Sequence, residues 1–172
     1  GTVNDHWNNA LNWSPLVIPM MGDSVIIPSA PVNQPMLYSN VTGADSVDNL
    51  TIQSGARLTL AGYGLTVTST LTNSGGTVRL DGNEAISIGT LTDTGTFEYM
   101  GETAGGAVDY LLQNFRSGQP LVYYNLVINN ARNLDTVHLG ENLTVTNNLS
   151  ITNGGTFDLL TRTLTVGGTL TV

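Results

Sequence analysis

Between residues 58 and 99 the chain carries Leu58-Thr59-Leu60, Leu65-Thr66-Val67, Leu71, Val78-Arg79-Leu80, Ile86-Ser87-Ile88, Leu91 and Phe97-Glu98-Tyr99. Each triplet is apolar, polar, apolar, which is the period of a short strand with one buried face. Like triplets recur: Leu65 to Ile86 is 21 residues, Leu58 to Val78 is 20 and Val78 to Phe97 is 19. Leu71 and Leu91 add a third marker, 20 apart. The same three markers return further on. Leu143-Thr144-Val145 and Leu164-Thr165-Val166 start 21 apart, Val137-His138-Leu139 and Phe157-Asp158-Leu159 start 20 apart, and Leu149 and Leu170 are separated by 21.

A unit of this size with about three short strands cannot bury its own apolar face. Stacked on its neighbours at ~4.8 Å per layer, it makes a continuous core. Turn residues fall where corners are needed, at Asn73-Ser74-Gly75-Gly76, Asp81-Gly82-Asn83, Asn153-Gly154-Gly155 and Gly167-Gly168. The expected fold is all-β: a right-handed, single-stranded parallel β-helix, or β-solenoid. It has ~20 residues per coil and about six to seven coils. The polar central positions Thr59, Arg79, Glu98, His138 and Asp158 are expected to form one outward ladder.

Two regions break the rhythm. Residues 1–46 hold five of the six Pro and both Trp, and read as an N-terminal cap with irregular first coils. Residues 47–172 read as the β-helix, with an irregular insertion near 101–122. Within it, 107–115 lacks the Thr pattern and fits either a short helix or an extended loop. No cap is visible at the C-terminal end, where the sequence stops inside a repeat at Leu170-Thr171-Val172. A fragment of a longer protein and an end that stacks on another subunit are both expectations for that end.

Composition narrows the function classes. The chain has 172 residues, no Cys, no Lys, five Arg and a formal net charge of −8. Nucleic-acid binding relies on cationic side chains and is not expected. No apolar run is long enough to span a bilayer, so membrane insertion is not expected either. Without Cys there is no disulfide framework or thiol nucleophile.

Few residues suggest chemistry. His6 and His138 lie far apart in sequence, and both read as surface histidines. Carboxylates number one per coil at most along the ladder, and the five Arg are scattered, so neither paired acid/base catalysis nor a polysaccharide lyase is expected. Asp45 with Asp48, and Asp81-Gly82-Asn83-Glu84, offer oxygen ligands for Ca²⁺, but they match no calcium-loop pattern and read more simply as turns. No cofactor is expected. Tyr99, Tyr110, Tyr123 and Tyr124 cluster near the irregular segment and are the candidate glycan contacts if their rings are exposed. Tyr123 and Tyr124 alternate faces, so one of them should be exposed.

The run Trp7-Asn8-Asn9-Ala10-Leu11-Asn12-Trp13-Ser14-Pro15, followed by Ile18-Pro19, Gly22-Asp23-Ser24-Val25-Ile26-Ile27-Pro28 and Pro35, leads into Asn49-Leu50-Thr51-Ile52, Gly55-Ala56-Arg57-Leu58-Thr59-Leu60 and Leu65-Thr66-Val67. This pattern resembles the entry segments of adhesin-like, secreted and cell-surface β-helical repeat proteins of Bacteroidetes-type bacteria. Tyr124-Asn125-Leu126-Val127-Ile128 through Gly140-Glu141-Asn142-Leu143-Thr144-Val145 is similar to a second repeat style of that group. Such a resemblance implies an extracellular setting and no catalytic motif. Asp23-Ser24-Val25, Asp45-Ser46-Val47 and Asp135-Thr136-Val137 also resemble the O-glycosylation signal of such proteins, which makes Ser24, Ser46 and Thr136 candidate acceptors. A turn residue before a strand gives the same pattern.

The expected function is therefore a non-enzymatic structural or adhesive module of an extracellular bacterial protein. A carbohydrate-binding module and a filament subunit stacking through open coil ends are the alternatives. Partners would be carbohydrate or another cell-surface ligand, neighbouring domains of the same chain, or further copies of it.

Overall fold

The computed structural model describes residues 3–101, 109–129, 136–152 and 156–172. No α-helix occurs among them, only 3-10 turns at Ala10–Asn12 and Gly43–Asp45. The strands are β1 (Ser24–Ile27), β2 (Val47–Ile52), β3 (Arg57–Thr59), β4 (Leu65–Asn73), β5 (Thr77–Leu80), β6 (Ile86–Asp93), β7 (Thr96–Tyr99) and β8 (Asp109–Leu111). They continue as β9 (Leu121–Tyr123), β10 (Asn125–Asn129), β11 (Thr136–His138), β12 (Leu143–Val145), β13 (Leu149–Thr152), β14 (Thr156–Asp158), β15 (Leu164–Val166) and β16 (Leu170–Thr171).

Every pairing between these strands is parallel. Strands adjacent in a sheet lie one coil apart in sequence, as Leu58, Val78 and Phe97 do in β3, β5 and β7. The molecule is thus a parallel β-solenoid. One long sheet, β3-β5-β7-β10-β13-β16, runs through it and counts about six turns. The other sides are the sheets β1-β2-β4-β6, β8-β11-β14 and β9-β12-β15.

Residues before 47 join this stack. β1 pairs with β2, while Met36 bridges both His6 and Thr59, and Val41 bridges Leu65. The Trp7 and Trp13 rings meet edge to face at 4.8 Å, and the Trp13 indole donates to the Trp7 carbonyl at 2.6 Å. Buried Trp7 closes the core at this end.

Within each half the repeats pair as the spacing predicts. Leu65 faces Ile86, Leu71 faces Leu91, Leu143 faces Leu164 and Val137 faces Phe157. Across the irregular segment, however, every marker changes sides. The ladder Thr59–Arg79–Glu98 continues to Val127, Ser150 and Thr171, not to His138 and Asp158. His138 instead sits between Leu111 and Asp158 in another sheet. The single outward ladder expected from sequence is corrected accordingly. Any side of a solenoid accepts an apolar-polar-apolar triplet, so the pattern does not say which side a triplet occupies.

The segment around residues 109–123 absorbs this change of phase. It supplies β8 and β9, so part of the stretch expected to be helix or loop is strand. Residues 102–108 lie outside the described ones. The core here is filled by larger side chains. Phe97 packs on Phe115 at 5.1 Å and on Tyr123 at 5.2 Å between ring centres, and Phe115 meets Tyr123 edge to face at 5.7 Å. Above and below it the core is aliphatic, with Leu50, Ile52, Leu58, Leu65 and Leu71 on one side and Leu126, Ile128, Val137 and Leu149 on the other. Each such burial contributes roughly 1.5–3 kcal/mol. Burial fades in the last coil, where Leu164 and Val166 are half-buried and Leu170 is exposed.

The corners explain the Asn and Gly pattern. Asn73 is fully buried, and Gly95 lies so close to its side-chain amide that a Cβ has no room there. At another corner the buried Glu84 carboxylate accepts from the backbone N–H of Asp81 at 2.6 Å, Gly82 at 2.8 Å and Gly62 at 3.1 Å. It ties one coil to the next.

Candidate functional site

The tyrosines named from sequence are mostly interior. Tyr99 and Tyr123 are buried, and their hydroxyls lie 2.8 Å apart. The Tyr123 hydroxyl also donates to the Gln113 carbonyl at 2.7 Å. Burial pushes both phenols well above their ordinary range. Tyr110 is buried as well, its ring packed against Gly82. The expected platform is corrected at these three positions, because the rings fill the core where the coil changes phase. Tyr124 is half-buried, and its backbone N–H donates to Asp93 at 3.2 Å. The four do not form a shared surface.

Of the candidate glycosylation acceptors, Ser24 is exposed on β1. Ser46 is buried, with its hydroxyl donating to the Gly43 carbonyl at 2.7 Å, so the fold leaves it no access. Thr136 is half-buried at the start of β11, and Asp135 before it lies outside the described residues.

His138 lies between two carboxylates from adjacent coils, its Nε2 3.7 Å from Asp109 and its Nδ1 3.4 Å from Asp158. His6 stacks on the Tyr38 ring at 3.8 Å, and the Tyr38 hydroxyl reaches Asp5 at 3.3 Å. Among the described residues no three His, Asp or Glu side chains converge as a metal-holding group. Asp48 accepts from the Thr68 hydroxyl at 2.8 Å, and the Asp81–Glu84 corner is organised by Glu84 on backbone N–H groups. Among the described residues no helix is long and apolar enough to cross a membrane.

Two surface features were not singled out from sequence. One is a cleft of about 590 Å³ beside β1, lined by Trp13, Pro15, Val17, Ile26, Pro28 and Val32. The other is the outer face of the β1-β2-β4-β6 sheet. There Ser24, Asn49, Thr70 and Thr90 stand in one rank across four strands, and Ile26, Thr51, Thr72 and Thr92 in the next. Their inward neighbours Leu50 and Leu71 are buried, so these side chains point outward. None of the eight is charged. The Asn49 amide donates to the Ser24 hydroxyl at 3.0 Å along the first rank. The repeated Thr70-Leu71-Thr72 and Thr90-Leu91-Thr92 carried this signal in the sequence.

Fold and surface together define a β-solenoid protein that presents ordered polar sheet faces. The chain belongs to the family described as Domain of unknown function (DUF8693), which matches residues 1–117. Neither a comparison with curated proteins nor one with solved structures gives a match.

Proposed function

We propose that this chain is a non-enzymatic structural or adhesive module, a rigid stalk or spacer in an extracellular or cell-surface bacterial protein. The observation that supports this reading most is the long sheet. It passes from β3 to β16 without interruption, even where the repeat changes phase at β7 and β10. Continuous backbone ladders over a dry core resist bending and local unfolding. Six layers at ~4.8 Å give a rod roughly 25–30 Å long.

Such a module gains from resisting proteases. With no Lys, tryptic cleavage is limited to Arg, and Arg79 is held by Glu98 at 2.7 Å within the sheet. Two measurements test the proposal. Antibody against the folded chain should label intact, unpermeabilised cells of the native source, and the folded chain should outlast its heat-unfolded form in trypsin. Labelling only after permeabilisation contradicts the location, and equal digestion of both forms contradicts the rigid-rod role.

A further inference from the structure

We propose that the outer face of the β1-β2-β4-β6 sheet is an ice-binding surface. The proposal goes beyond a spacer role by giving the module something to adhere to. On β2, β4 and β6 the face carries two ranks of three uncharged side chains in register, while Ser24 and Ile26 of β1 line the cleft at its edge. Five of these six are Thr, at positions 51, 70, 72, 90 and 92. Backbone pairing sets their spacing at ~4.8 Å across strands and ~6.6 Å between alternate residues along a strand. The repeat across strands is close to the shortest lattice repeat of hexagonal ice.

The chemistry suits an ordered water layer. Threonine is stiff at χ1, so its hydroxyl and methyl are held in place by the sheet before any ligand arrives. The hydroxyl anchors a water, while the methyl leaves adjacent waters to bond with one another. A chain with net charge −8 keeps charge off these two ranks. Charged groups would hold their own hydration shells and disturb a lattice. The face also lacks aromatic rings, which a crystalline polysaccharide would use as stacking platforms. A water lattice therefore fits it better than a sugar lattice.

The test is partition of the purified chain between slowly growing ice and the remaining liquid, with examination of crystal shape. The unmodified chain should enrich in the ice and facet the crystals. Thr72→Lys places a solvated charge between Thr51 and Thr92 and should lose both effects. Thr144→Lys, on the outward side of β12, should retain both. Circular dichroism of each variant confirms that the fold persists. Exclusion of the unmodified chain from ice overturns the proposal. So does full ice binding by a folded Thr72→Lys, or binding to crystalline chitin or cellulose without any effect on ice.

Discussion

The hydroxyls of Tyr99 and Tyr123 meet at 2.8 Å inside the solenoid, where the repeat changes phase. Tyr123 spends its one proton on the Gln113 carbonyl, so Tyr99 donates to Tyr123. The Gln113 N–H in turn reaches the Tyr99 oxygen at 3.4 Å, and the Gln113 side chain donates to the Gly82 carbonyl at 3.0 Å. A strand of the long sheet, a strand of the β9-β12-β15 sheet and the irregular segment are thereby joined through one closed set of hydrogen bonds.

Removing the Tyr123 hydroxyl leaves the Gln113 carbonyl and the Tyr99 hydroxyl without their partner. Tyr123→Phe should cost about 1–3 kcal/mol of stability. The Tyr99→Phe, Tyr123→Phe double variant should lose less than the sum of the two single changes, because one network is removed twice. Denaturant midpoints of the four proteins check both statements.

Alkaline pH acts on the same pair. Burial raises both phenols above the ordinary value of 10.0, so the folded chain holds protons that the unfolded chain releases. Their contribution to stability is complete below about pH 10 and is lost as pH rises towards the folded values. Tyrosinate absorbance should show these two rings ionising only as the chain unfolds. Smooth titration of all six tyrosines with the fold intact would contradict the buried pair.

Gly95 should be intolerant of any side chain. A Cβ there collides with the buried Asn73 amide, and overpacking of this kind costs about 1–3 kcal/mol. Trimming the obstruction should relieve it. Gly95→Ala should therefore destabilise a normal Asn73 background far more than an Asn73→Ala background, as thermal melts would report.

Asp93 gives an acid-side prediction. Partial burial raises its carboxyl above the usual 3.8, against the lowering effect of N–H donors from Gly95 and Tyr124. Its folded state prefers the protonated form, so the stability it contributes is present below that ordinary value and lost as pH rises through the folded one. Asp93→Asn does not titrate. The variant's melting temperature relative to the parent should therefore climb between acid and neutral pH, and a flat difference would contradict the shift.

Much of this fold is legible in the sequence because coils stack on copies of themselves. Leu65 and Ile86, or Leu143 and Leu164, are neighbours in space because they occupy equivalent places in successive repeats. The phase change is not legible. His138 carries the same apolar-polar-apolar signature as Glu98, yet the two lie in different sheets. Nothing in a triplet records its side of the coil. Burial of Tyr99, Tyr110 and Tyr123 is not legible for a related reason: a tyrosine carries the same signature whether its ring fills the core or lies on the surface. Burial of Ser46 likewise depends on its bond to Gly43, which a short motif does not reveal.

The most direct measurement is disulfide formation between engineered cysteine pairs, in a chain that has no Cys of its own. Glu98 and Val127 are paired in adjacent parallel strands, a separation within disulfide reach. Glu98→Cys with Val127→Cys should close a bond under mild oxidation while the β spectrum is kept. Glu98→Cys with His138→Cys should stay reduced. Ready closure of the Glu98–His138 pair, with the Glu98–Val127 pair left open, would contradict the phase-shifted solenoid.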